Sequence, residues 1–241
     1  MEKTSTKHLN STEKFQNFWY HYKWHTIAVI FLLIVAIFIA SSLLGKTEPD
    51  TLLYYGGPAY FSENAVGSVE NAFEQVMAKD YNGDGKKVAQ LIVTTVLSGD
   101  QYATKVMDAR EEGEIAFMGD LSSAEKDYNE QILYGQGIIC LLDKAHYEES
   151  KSRMEHLDVL FDEETLPDGL FSDGKGIYLK DTAFGKYFEV FDGLPEDTVL
   201  CIKIRPLHIE KDVYEDAVAL FRGVMAFDLE RVENNEESAA E

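Results

Sequence analysis

Asp80, Asn82 and Asp84, spaced two apart and followed by Gly85 and Lys86, come nearest in this chain to a defined chemistry. Three oxygen-bearing side chains at alternate positions, a glycine for a sharp turn and the carbonyl of Lys86 match the first seven positions of a calcium loop. The match stops there. Position nine is Val88, and position twelve is Leu91 where such a loop supplies a bidentate glutamate. Asn-Gly and Asp-Gly pairs also build tight turns for backbone reasons alone, so a plain turn between helix and strand fits the same residues and is the favoured reading. Calcium, if bound, is expected at about 10⁻⁴ to 10⁻³ M.

Other chemistry is sparse. The chain has no phosphate-cradling loop, no G-x-S-x-G, no H-E-x-x-H and no pair of C-x-x-C units. His146 with Glu149, and His156 with Glu155 and Asp158, are the nearest approaches to metal pairs, but 43 acids produce such neighbours by chance. Cys140 and Cys201 sit inside apolar runs and read as buried, unpaired thiols. Any catalytic site would have to be assembled from scattered acids such as Asp120, Asp143 and Asp181 at strand ends, because α/β sheets present ligands at the carboxyl ends of their strands. An edge gathering carboxylates would indicate an enzyme, and one lined by aromatics a binding module.

The element that must place all of this is the uncharged run over residues 27–44, with thirteen large aliphatic or phenylalanine side chains, three Ala and two Ser. As a helix it reaches about 27 Å, close to the hydrocarbon thickness of a bilayer, so it reads as a transmembrane helix. Phe15, Phe18, Trp19, Tyr20, Tyr22 and Trp24 crowd the residues before it as an interfacial belt. Four Lys precede the span, which predicts a cytoplasmic N terminus and an extracytoplasmic remainder at the cell membrane. The run exceeds the usual length of a cleaved signal, so an uncleaved signal anchor is expected.

The expected layout is a basic and aromatic cytoplasmic segment at residues 1–26, the span at 27–44 and a linker at 45–50. A domain over residues 51–228 and an acidic, disordered tail at 229–241 complete it. The first 46 residues hold five Lys and two Glu, which leaves 17 basic and 41 acidic residues, a net of −24, for the rest. Such a domain repels phosphate backbones, so nucleic acid is excluded as a partner, whereas cations and basic partners fit.

Within residues 51–228 strands alternate with helices. Residues 51–55 read as a strand ending at Gly56-Gly57-Pro58, and Val66, Val69, Phe73, Val76 and Met77 mark an amphipathic helix. The apolar run over 88–97 is too continuous for a half-exposed edge and predicts a central strand. Ser98 and Gln101 have capping-box spacing for a helix over 100–112, as do Ser122 and Glu125 for the next one. Residues 114–118, 137–142, 177–179 and 198–204 read as strands. Asp143 and Asp181-Thr182 are predicted helix caps, and 211–227 a terminal helix. The ordering predicts an α/β domain with a mainly parallel sheet flanked by helices.

Two resemblances carry further expectations. Gly113-Glu-Ile-Ala-Phe-Met118 after an amphipathic helix, the strand over 137–142 and Ala217-Val-Ala-Leu-Phe221 in the last helix resemble a lobe of type 2 extracellular solute-binding proteins. That implies a solute-binding-like fold, with Ala116 departing from the family's usual acidic residue. The whole chain, through Trp19-Tyr-His-Tyr-Lys-Trp24, Asp80-Tyr-Asn-Gly-Asp-Gly85 and Leu194-Pro-Glu-Asp-Thr-Val-Leu-Cys201, resembles uncharacterised single-pass membrane proteins of clostridial bacteria. The expectation is a membrane-anchored binding or scaffolding module engaging a small solute or another membrane protein. An enzyme with an acid-lined site and a weak calcium-binding surface protein are the alternatives.

Overall fold

Helix α1, Ser11–Leu44, runs unbroken through the aromatic segment and the apolar run. The computed structural model describes residues 11–44, 48–111, 121–161 and 165–228. The predicted strand over 114–118, Asp120, the tail at 229–241 and residues 45–47 of the linker lie outside them. Along α1 the described apolar side chains are bare on nearly every side, from Ile27 at 47% exposed to Phe38 at 74%. Among the described residues no helix is long and apolar enough to cross a membrane, and the described side chains of the apolar run end at Phe38. The chain divides into two units, Met1–Thr47 and Glu48–Glu241.

The second unit is an α/β domain whose described residues form a five-stranded sheet. Its elements are β1 (Thr51–Gly57), α2 (Glu63–Val76), β2 (Ala89–Thr95), α3 (Gly99–Glu111), α4 (Leu121–Tyr134), β3 (Ile139–Leu142), α5 (Lys144–Ser150) and α6 (Leu157–Leu160). Then come β4 (Gly176–Tyr178), α7 (Ala183–Tyr187), β5 (Val199–Ile202) and α8 (Lys211–Met225). The strand order is β2-β1-β3-β5-β4. β1 pairs parallel with β2 and β3, whereas β5 runs antiparallel to both β3 and β4. The sheet is therefore mixed, a correction to the expected mainly parallel one. Alternating strands and helices fix the first three strands, but the last two are joined by short helical turns that bring the chain back along the neighbouring strand.

Helices cover both faces. On one, Val69, Ala72 and Phe73 of α2 and Ala217, Leu220 and Phe221 of α8 pack on Leu53, Tyr55, Ile139 and Leu200. On the other, Tyr128 and Ile132 of α4 pack on Tyr54, Cys140, Leu142 and Cys201. The caps act as their spacing predicts in two places. Ser98 Oγ accepts from Gln101 N at 3.3 Å while Gln101 Oε1 accepts from Ser98 N at 2.8 Å, and Thr182 Oγ1 accepts from Gly185 N at 2.8 Å. Helix α4 begins at Leu121, so Ser122 lies inside its first turn rather than before it.

Among the described residues β2 is an edge strand, not the predicted central one. Its continuous apolar run records helices above and below, and says nothing of a strand alongside. The open edge is closed instead by α2: Glu74 Oε1 accepts from Ala89 N at 3.0 Å and Glu70 Oε1 from Leu91 N at 2.8 Å. Carboxylates thus satisfy the N–H groups that an unpaired edge would offer to another chain.

Candidate functional site

The chain crosses from β1 to β2 on one side of β1 and returns to β3 on the other, so the strand order reverses between β1 and β3. That is where an α/β sheet opens a crevice at its carboxyl edge. β1 ends there in Gly56-Gly57, and the absence of side chains is required. A Cβ on Gly56 would lie 2.7 Å from the Tyr128 ring, and one on Gly57 would lie 2.7 Å from Tyr55 Oη and 3.3 Å from Asp143 Cβ. Tyr55 Oη in turn accepts from Ala59 N at 2.9 Å, and burial pushes its phenol far above the usual tyrosine value.

Asp143, directly after β3, is fully buried. Its side chain accepts no backbone N–H at the start of α5, so the predicted cap is a different device. Oδ1 pairs with His146 Nδ1, and Oδ2 accepts from Gln101 Nε2 at 2.7 Å. The Ser98–Gln101 cap is thereby tied to β3 across 42 residues of sequence. His146 is 3% exposed and stacks edge-on against Tyr128 at 4.8 Å. Tyr128 Oη donates to the His146 carbonyl at 2.9 Å and lies 2.6 Å from Ser150 Oγ. An imidazole held by an aspartate has the orientation of a general base, but this ring is enclosed by its neighbours, so the pair locks α3, α4 and α5 to the sheet.

Beside it lies an aromatic box. The Lys144 ammonium sits 3.8 Å from the ring centre of Phe171, 5.1 Å from Tyr147 and 5.7 Å from Tyr178. The rings brace one another edge to face, Phe171 to Tyr178 at 4.7 Å and Tyr147 to Phe171 at 5.3 Å. Tyr147 Oη donates to Asp173 at 2.9 and 3.0 Å, and burial is the main reason its phenol is pushed far up. Negative ring faces gathered around one point attract a cation. Asp181, also at this edge just past β4, is exposed at the surface. Of the three acids singled out in the sequence, Asp143 is locked in a network, Asp181 is free of it, and Asp120 lies outside the described residues.

The Asp80 loop is at the opposite edge, between α2 and β2. Asp80 Oδ1 accepts from Gly83 N at 2.7 Å and Oδ2 from Gly85 N at 2.6 Å, while Asn82 Oδ1 accepts from Asp84 N and Asp84 Oδ1 from Lys86 N, both at 2.9 Å. These amides, Gly85 foremost, hold the Asp80 carboxyl below the usual aspartate range. Gly83 and Gly85 take φ of 76° and 89°, the left-handed region that glycine enters at little cost. At least one oxygen of Asp80, Asn82 and Asp84 is thus engaged by a backbone amide, as the turn reading requires. Among the described residues no group of three or more His, Cys, Asp or Glu is placed to hold a metal ion. Sequence reasoning missed Asp50, which sits in the supposed linker. It is 8% exposed and accepts from Tyr81 N at 2.7 Å, Asn82 N at 2.8 Å and Val88 N at 2.8 Å, so it organises the loop from below.

Comparison with family models, curated proteins and solved structures finds no match for this chain. The reading of its function therefore stands on geometry and chemistry.

Proposed function

We propose that the chain is a single-pass membrane protein, N terminus cytoplasmic, whose extracytoplasmic α/β domain resembles a solute-binding lobe and acts as a binding or scaffolding module for a cationic group. The observation that carries this is the aromatic box at the carboxyl edge, which already surrounds an ammonium, that of Lys144. The residues after the apolar run, with 41 acids to 17 bases, attract cations over a distance, and the box supplies a place for one to dock. The ligand is a small amine solute or the basic side chain of a neighbouring membrane protein. Anchoring is supported by the bare apolar circumference of α1 and by the four Lys before it.

Two measurements test the proposal. Protease added to intact cells is expected to degrade the domain and spare an epitope at residue 1. Calorimetry on the detergent-solubilised full chain is expected to show heat with alkylammonium ions and none with carboxylates, and the heat should disappear in Phe171→Ala. Turnover of a substrate by the purified chain, lost in Asp143→Asn or Asp181→Asn, would instead make it an enzyme.

A further inference from the structure

At the edge of the sheet opposite the aromatic box, a pocket of about 340 Å³ lies between the end of α4, the 3-10 turn Lys151–Arg153 and the loop after β5. It is basic and apolar. Arg153, Arg205 and His208 line it with Tyr134, Ile204 and Leu207, and no carboxylate does. In a region, residues 47–241, with a net charge of −24 that composition is a strong local inversion. Leu207 is 99% exposed at the tip of a turn closed by Ile209 N donating to the Pro206 carbonyl at 3.1 Å. Arg205 Nη1 stiffens the turn by donating to the Ile209 carbonyl at 3.0 Å. Tyr134 is 71% exposed and Ile204 45%. A bare leucine at a braced tip, flanked by a tyrosine and arginines, matches the layering of a headgroup region, where apolar groups go inward, aromatic rings sit at the boundary and cations meet phosphate.

The position of this patch selects the occupant. Lys203 N donates to the Ile138 carbonyl at 2.9 Å, and Ile138 N donates to the Leu52 carbonyl at 3.1 Å. The loop therefore starts two strand spacings, about 10 Å, from the beginning of β1. Seven residues lead from Leu44 to Thr51, a reach of at most about 25 Å. A span ending at Leu44 thus leaves this edge within reach of the bilayer, and although the acidic Asp80 loop shares the edge, the patch of Arg153 and Arg205 is the part whose charge suits anionic lipid. A second copy is disfavoured as occupant, since a two-fold contact through the patch sets arginine against arginine.

We propose that this edge docks on anionic lipid, with Leu207 and Tyr134 in the headgroup layer and Arg153 and Arg205 on phosphate. The docking rests on the anchored reading above. It turns the carboxyl edge, with its aromatic box, away from the membrane.

The test uses the full chain in liposomes containing phosphatidylglycerol and phosphatidylcholine, with an environment-sensitive fluorophore on Leu207→Cys. Cys140 and Cys201 are buried and do not compete for the label. Nitroxide-bearing lipids should quench the label at 207 and not one on Tyr60→Cys, which is 88% exposed beyond the carboxyl end of β1. Pure phosphatidylcholine, or Arg153→Gln with Arg205→Gln, should weaken the lipid-protected state by about fivefold per charge removed. Chain that floats with the vesicles but leaves position 207 as unquenched as position 60 overturns the docking while the anchor stands. Protection of the label at high protein concentration in detergent, without lipid, overturns it in favour of self-association. Failure to float overturns the anchor and the docking together.

Discussion

Cys140 on β3 and Cys201 on β5 stand directly opposite one another in the antiparallel register, each fully buried and each a free thiol. The Sγ of Cys201 lies 3.7 Å from the Cys140 carbonyl and the Sγ of Cys140 lies 3.6 Å from the Ile138 carbonyl, so both thiols point to backbone acceptors. Burial pushes the Cys140 thiol up to about 11 and that of Cys201 well above its usual value. The thiolate is the reactive form, so both should be inert while the sheet is intact. An aromatic disulfide reagent at pH 8 is expected to find no thiol in the native protein and two after denaturation. Labelling of either under native conditions would show that the β3–β5 pair opens.

Asp50 is expected to be a principal determinant of the stability of the loop between α2 and β2. Asp50→Ala would strand three backbone donors, and at about 1 to 3 kcal/mol for each unsatisfied group the loss should reach about 3 kcal/mol or more. Urea titration of the full chain in detergent checks this. In the same variant calorimetry should find calcium binding no tighter than about 10⁻⁴ M, because no twelfth-position carboxylate exists to be recruited. Micromolar calcium binding abolished by Asp84→Ala would make the loop a metal site.

How much of this was legible in the sequence depends on how local the cause is. The face of α2 and the caps at Ser98 and Thr182 involve partners three or four residues apart, and periodicity or spacing reveals them. The position of β2 does not follow from its own residues, because an apolar strand covered by two helix layers looks the same at an edge as in the centre. Glu70 and Glu74 read as the solvent face of a helix, yet they cap the sheet edge. Asp50 reads as linker because its three partners are 31 to 38 residues away. Asp143 was identified as a strand-end acid, but its bond to Gln101 depends on how α3 returns over the sheet.

The carboxylates along β2 lead to a prediction about solubility. Glu70→Ala with Glu74→Ala frees the N–H groups of Ala89 and Leu91 on an edge strand with apolar neighbours. Concentration-dependent association with increased β-structure is expected by light scattering and infrared spectroscopy, at little cost to the helix itself. A double variant that stays as soluble as the parent would show that something else covers the edge.

Glu148 should give the protein a small acid-sensitive increment of stability. Hydrogen bonds from Lys144 at 2.8 Å and Lys151 at 2.7 Å hold its carboxyl down at about 2, against 4.5 for the free group. A depressed folded-state value means that the contribution is full above about pH 4.5 and disappears as pH falls toward 2. The carboxylate is 45% exposed, so screening keeps the gain small. The parent should exceed Glu148→Gln by about 1 to 3 °C in Tm at pH 6, with the difference closing by pH 2. A gap that widens in acid would mean that the carboxyl is not held in its charged form.

Lys144 is the residue that should separate stability from binding at the carboxyl edge. Its ammonium is held by Phe171, Tyr147, Tyr178 and Glu148, and its side chain is 32% exposed. Cation–π contacts at such sites contribute about 0.5 to 1 kcal/mol, so Lys144→Ala should unfold only slightly more readily than the parent. The same substitution empties the box without moving its rings, which Asp173 and their mutual edge contacts hold in place. Tetramethylammonium should therefore bind Lys144→Ala more tightly than the parent, since it no longer has to displace a tethered ammonium at high effective concentration. Phe171→Ala in the same background should remove the gain. If tetramethylammonium binds the parent and Lys144→Ala equally, the box is a brace for α5, and cation recognition has to be sought elsewhere on the domain.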